Sequence, residues 1–291
     1  MEIFKLPSGR QIAYEFTYKS DPDRPTILLS NPLSAQFSIW DRVVARLHDA
    51  GFRVVRYDHP GHGESGVPAD LSSTTFDSLA SDVHALLAGI GIGAGPRRLH
   101  AWIGDSMGGA LGVVFTAAHP GSVGRLVVCD AIACSPANAG VSPDPFAPRV
   151  EAARAAGSMD ATVEETVGRW FGEWVLADPE EAERVRRLMR TTSVDGFETC
   201  IAALRSSTFD LRPLLGRLAR CVERVLLVVG GNDADLPAKM AEMRDEVQKG
   251  FQAAGREEKV ELRVIPDAGH VPFIDCYDEF IEAVLPVLLV R

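Results

Sequence analysis

The 291 residues are enough for one large α/β domain with a modest insertion. Apolar residues at 46% and charged residues at 24% place the chain among ordinary globular proteins. A net charge of −10 opposes phosphate backbones and anionic membranes, which excludes nucleic acid and membrane as partners and leaves a small-molecule substrate.

Five cysteines (Cys129, Cys134, Cys200, Cys221 and Cys276) are scattered without CxxC or zinc-ligand spacing, as expected of reduced thiols in a cytoplasmic protein. Met1 to Lys5 lacks the basic start and apolar stretch of a signal peptide. The longest apolar run, Phe280 to Val290, contains Glu282 and Pro286 and is too short to span a bilayer. A soluble monomer or homodimer is the expectation.

Two short strands, Glu2–Leu6 and Gln11–Thr17, flank the turn residues Pro7-Ser8-Gly9. Thr26–Ser30 is a compact apolar run, as in a strand buried on both faces. A helix over Trp40–Ala50, a strand over Phe52–Tyr57, a helix over Phe76–Ile90 and a strand over Leu99–Ile103 follow. Another helix runs to about His119, and Leu126–Cys129 is the next strand. This alternation predicts a mostly parallel, doubly wound α/β sheet.

The alternation then stops. From Ile132 to Leu215 the pattern is helical and proline-bounded, which predicts a helical cap inserted into a core of residues 1–131 and 216–291. Strand Arg224–Gly230, helix Pro237–Ala254, strand Val260–Ile265 and helix Asp278–Leu289 complete the core. A cap over the carboxyl edge of an open sheet covers the place where such folds hold ligands.

Gly104-Asp105-Ser106-Met107-Gly108-Gly109 falls between a predicted strand and a predicted helix, the setting of a nucleophile elbow. A serine there is lifted above the sheet on a sharp turn, and side chains two positions either side would strike neighbouring backbone. Such a serine needs a base. Of the seven histidines, His270 alone lies in a loop after the last strand, in Asp267-Ala268-Gly269-His270, and it completes the chain order Ser…Asp…His. Asp233 is the first choice for the orienting acid, because it lies close to the end of strand Arg224–Gly230. Asp130, which ends the preceding strand, is an alternative, and Asp235 reads better as the opening of the next helix.

Oxyanion donors are expected from the N–H groups of Met107, after the nucleophile, and Leu33, in Ser30-Asn31-Pro32-Leu33-Ser34, since Pro32 has no N–H. The glycine-rich stretch Asp58 to Ser65 reads as a tight loop at the rim of the site. No cofactor or metal motif appears.

These residues identify the chain as a member of the α/β-hydrolase superfamily, and it most resembles the 3-oxoadipate enol-lactonases. Leu29-Ser30-Asn31-Pro32-Leu33 is similar to their LSNSL oxyanion loop. Arg169-Trp170-Phe171 and Gly196 to Arg205 look like their RWF and GY-x-x-C-x-A-x-R stretches. The chain departs from that pattern at Pro32, at acidic Asp130 and in a longer, proline-rich entry from Pro136 to Pro148. The resemblance implies cofactor-free hydrolysis of a five-membered enol-lactone bearing a carboxylate, in aromatic catabolism. Alternatives are a general carboxylesterase, a lactonase for another ring such as an acyl-homoserine lactone, or a catalytically dead ligand-binding scaffold. Trp170 and Trp174 are expected as an apolar wall. Of Arg169, Arg190 and Arg205, Arg205 is expected to bind the substrate carboxylate.

Overall fold

The computed structural model describes residues 1–93 and 95–290. Eight strands form one sheet: β1 (Glu2–Lys5), β2 (Gln11–Phe16), β3 (Thr26–Ser30), β4 (Arg53–Tyr57), β5 (Leu99–Asp105), β6 (Val123–Cys129), β7 (Arg224–Gly230) and β8 (Glu261–Ile265). Their order is β1-β2-β4-β3-β5-β6-β7-β8. The β1–β2 and β2–β4 pairings are antiparallel; every pairing from β4 to β8 is parallel.

The central strands are covered on both faces by helices, which is why β3 and β6 are buried at every position. The core helices begin with α1 (Asp41–Asp49), α2 (Phe76–Gly89) and α3 (Met107–Ala118), and others follow later in the chain. Strand β6 begins three residues earlier than its apolar run. Gly124 and Arg125 interrupt the pattern, but Arg125 stays in the strand because its guanidinium donates to the carbonyls of Val287 and Val290 at the end of the last helix.

Between β6 and β7 the described chain holds α4 (Ala147–Ala156), α5 (Asp160–Phe171), α6 (Trp174–Ala177), α7 (Pro179–Met189), α8 (Val194–Arg205) and α9 (Arg212–Leu215). After β7 come α10 (Leu236–Ala253), α11 (Pro272–Asp275) and α12 (Tyr277–Leu289). No described helix is long and apolar enough to cross a membrane. The five cysteines are free thiols.

The chain goes from β3 to β4 on one side and to β5 on the other. This reversal opens a crevice at the carboxyl ends of β3 and β5, the favoured ligand position in a doubly wound sheet. Leu33 follows β3, and Ser106 follows β5.

Candidate active site

Ser106 sits between β5 and α3 at φ 53°, ψ −114°, a conformation L residues rarely adopt. The turn holds because its flanks are glycine. A Cβ on Gly104 would lie 2.1 Å from the carbonyl oxygen of Gly108, and one on Gly108 would lie 2.2 Å from that of Ser30. The Ser106 N–H donates to the carbonyl of Cys129 at 2.7 Å, which ties the elbow to β6.

His270 follows β8, and its Nδ1 lies 2.5 Å from Oδ2 of Asp233, in the loop after β7. Of the three acids considered from sequence, Asp233 is thus the one bonded to the imidazole. Burial alone would raise its carboxyl, but the bond to His270 and the charge of Arg169 hold it below the usual carboxylate range. Asp235 is exposed at the N-terminus of α10 and pairs with Lys239. Asp130 is buried next to the pair and accepts the Gly230 N–H at 2.9 Å.

The histidine loop is fixed to the helical segment. The His270 N–H donates to the Trp170 carbonyl at 2.9 Å, and a Cβ on Gly269 would lie 1.8 Å from that same oxygen. The Trp170 and His270 rings lie 5.5 Å apart between centroids.

Leu33 and Met107 line the same cavity as Ser106, and neither N–H has a hydrogen-bond acceptor among the described residues. The loop carrying Leu33 is held from below by the Asp58–Ser65 turn. His62 Nε2 accepts the Ser34 N–H at 2.9 Å while its Nδ1 donates to the Pro60 carbonyl, which fixes a neutral tautomer. His59 contacts the Asn31 carbonyl, and Asn31 donates to the Tyr57 carbonyl. Burial, with His59 nearby, pushes His62 down to about 3. The rim loop of the sequence reading is therefore the support of the Asn31–Ser34 loop.

The cavity measures ≈ 370 Å³, the scale of a small-molecule site. Ile132, Phe146, Trp170, Leu204 and Leu236 give it apolar walls, and Arg149 and Arg169 add charge. Trp170 lines it as expected; Trp174 does not.

The expectation for Arg205 is corrected. It is exposed, pairs with Asp144 and lies outside the cavity; its neighbour Leu204 faces inward. One step along a helix turns a side chain by about 100°, so the last residue of α8 points to solvent. Arg190 is likewise committed to surface acids.

Arg149 takes the interior position that sequence reading missed. Its Nε is buried without a partner, its Nη2 donates to Thr166 Oγ1 at 2.9 Å, and neither it nor Arg169 forms an ion pair among the described residues. Burial, with Arg169 nearby, pushes the Arg149 guanidinium down to about 10. Arg149 has no acid three or four residues away on either side, but neither does Arg205, so spacing could not separate them.

An elbow serine, a loop histidine bonded to an aspartate and a helical segment over the sheet's carboxyl edge define an α/β-hydrolase. The alpha/beta hydrolase family model matches residues 35–283, and the chain belongs to that family. It is 28% identical over 228 residues to 3-oxoadipate enol-lactonase 2 of Acinetobacter baylyi, covering 78% of each chain. Among solved structures it is similar to the enol-lactonase from Burkholderia xenovorans LB400, with a TM-score of 0.83, 27% identity and coverage of 99% and 100%. A hydrolase from Pseudomonas aeruginosa matches with a TM-score of 0.81, 28% identity and coverage of 99% and 98%.

Proposed function

We propose that this carboxylic ester hydrolase opens a small lactone or ester through an acyl-enzyme on Ser106, and that its substrate carries a carboxylate. Ser106 Oγ attacks the carbonyl carbon while His270 removes its proton, and Asp233 holds the Nδ1–H tautomer that leaves Nε2 free for this. The oxyanion is held by the N–H groups of Leu33 and Met107. Collapse breaks the ring C–O bond, and His270 protonates the departing oxygen, which in a lactone stays tethered to the acyl group. Water, deprotonated by the same histidine, then releases the acid from Ser106.

The observation that carries this reading is the 2.5 Å His270–Asp233 bond in the cavity that also holds the strained Ser106. The carboxylate preference rests on Arg149 and Arg169, two cations that form no ion pair among the described residues and line a small cavity; Glu165, which lines it too, acts on both through its charge but bonds neither. An enol-lactone of the 3-oxoadipate type, five-membered with a carboxylate side chain and drawn from aromatic catabolism, has these properties. The enol-lactonases among the relatives support it.

The test is a fluorophosphonate label, located by mass spectrometry, followed by a panel of enol-lactones, saturated lactones and nitrophenyl esters. The label is expected on Ser106, and Ser106→Ala is expected to lose at least about a thousandfold in rate. Labelling elsewhere, or substantial hydrolysis by the purified variant, would overturn the covalent mechanism.

A further inference from the structure

Four carboxyl groups crowd the far side of the histidine, and the proposed mechanism uses one. Asp105 ends β5, Asp130 follows β6, Asp233 follows β7 and Asp275 ends α11. Asp105 is 0% exposed and Asp130 1%. The groups facing them include the buried thiol of Cys129 on β6, His270 after β8 and Arg169 on α5. His270 acts on Asp233 by direct bond and Arg169 through its charge. Asp275 accepts the Gly269 N–H at 2.7 Å. Asp105 and Asp130 form no ion pair among the described residues.

Asp130 faces Asp233. One side-chain oxygen from each, together with a His270 ring nitrogen, lie within 4.8 Å of one another. Asp130 Oδ1 accepts the Gly230 N–H, whereas its Oδ2 is buried with no partner. The backbone of Asp130 stands at φ 45°, a left-handed bend that costs an L residue energy and that only Asn or Asp tolerates well after glycine. A buried unpartnered carboxyl oxygen facing a carboxylate is costly if it carries charge and favourable if it carries a proton. Two carboxylates this close cannot both ionise in a dry site, and the charge settles on the one bonded to the imidazole.

We propose that Asp130 is a positioning residue acting as a neutral acid: its Oδ2–H donates to the Asp233 carboxylate while its Oδ1 holds the Gly230 N–H. Asp233 is then gripped from two sides, by Asp130 and by His270, and the imidazole inherits its orientation from both. Burial first, then the neighbouring Asp105 and Asp233 charges, raise the Asp130 carboxyl well above the usual range, which agrees with this state. The proposal rests on the Ser106 mechanism, whose own failure would show in the wild type as absent labelling of Ser106.

The experiment compares Asp130→Asn and Asp130→Ala with the wild type through kcat, KM and the pH profile of kcat/KM on a neutral ester. Asparagine tolerates the left-handed backbone and supplies a neutral donor and an acceptor. Asp130→Asn is therefore expected to stay within about threefold in kcat, with the acid limb moved by no more than about 0.3 pH unit. Asp130→Ala lacks the donor and is expected to lose about tenfold or more in kcat at nearly constant KM. An acid limb lowered by about one unit or more in Asp130→Asn would mean that a negative charge had been removed, and would overturn the proposal. So would an alanine variant with wild-type kcat. If the alanine variant does not fold, the asparagine pH profile decides alone: an unmoved limb supports a neutral Asp130, a lowered one refutes it.

Discussion

Replacing Arg149 with methionine tests the carboxylate reading most directly, because this arginine is an odd component of a stable fold. Its Nε is buried without an acceptor, and among the described residues its only hydrogen bond to a side chain goes to Thr166 Oγ1. That hydroxyl keeps its own bond to the Thr162 carbonyl at 2.6 Å, so the substitution orphans nothing there. Methionine keeps an apolar stem near Phe197, over whose ring the guanidinium lies at 5.5 Å. A part-buried cation without an ion pair among the described residues costs desolvation that the Thr166 bond, the Phe197 ring and the charge of Glu165 offset only in part, since burial still pushes the guanidinium down. Its removal is expected to leave the melting temperature unchanged or to raise it by about 1–3 °C. Binding should suffer instead. A charge-assisted hydrogen bond contributes about 1.5–3 kcal/mol, so kcat/KM for a carboxylate-bearing lactone should fall by about 10- to 150-fold. The loss should appear mainly in KM, since a carboxylate remote from the reacting carbonyl is bound equally in ground and transition states. The methyl ester of the same lactone never makes the bond and should change by less than about twofold. Steady-state kinetics on that substrate pair, with thermal denaturation alongside, reads out both effects. Equal losses on the acid and its ester, or a strongly destabilised variant, would show that Arg149 serves the fold and not the substrate.

Arg205→Met, by contrast, should leave the discrimination between acid and ester as it is, because Arg205 is spent on Asp144 at the surface; a selective loss on the acid would return that residue to the site. Asp233→Asn should slow turnover by about a thousandfold or more and far more than Asp130→Asn, and a reversed order in two folded variants would move the orienting acid to the end of β6. Gly108→Ala should destabilise by about 3 kcal/mol or fail to fold, since its Cβ would lie 2.2 Å from the backbone oxygen of Ser30; a variant with wild-type melting and activity would show that the elbow relaxes easily. His62 titrates near 3 in the fold against about 6.5 when unfolded, so its contribution is complete above pH 6.5 and is lost as pH falls toward 3. The stability difference between wild type and His62→Gln, from urea unfolding, should therefore shift against the wild type by about 1.4 kcal/mol per pH unit across that window; a constant difference would mean that His62 is not held neutral.

The elbow serine and the loop histidine proposed as nucleophile and base were legible in the sequence because their constraints are local. Gly104 and Gly108 are dictated by backbone oxygens at 2.1 and 2.2 Å, and His270 by its place after the last strand. The positions of the central strands were legible for the same reason, since burial on both faces leaves compact apolar runs such as Thr26–Ser30. Local pattern weakened where a distant partner supplied the stabilisation: Arg125 is accommodated in buried β6 because carbonyls 162 and 165 residues away accept its guanidinium. The helical segment shows the limit most clearly. Arg149, Arg169 and Arg205 are chemically equivalent in the sequence, and their fates depend on which way each helix is rolled against the sheet, a property fixed by packing between elements and not by any window of neighbours. Leu204 and Arg205 differ by one position, yet one lines the cavity and the other faces solvent. Asp130 adds the complementary case. Its place at the end of a strand made it a plausible triad acid, and only the 2.5 Å contact between Asp233 and His270 separates the acid that touches the imidazole from the one that stands behind it. Chain order thus names the types of group that a reaction needs, while the register of neighbouring strands and the roll of helices decide which copy of each type is brought to the reacting atoms.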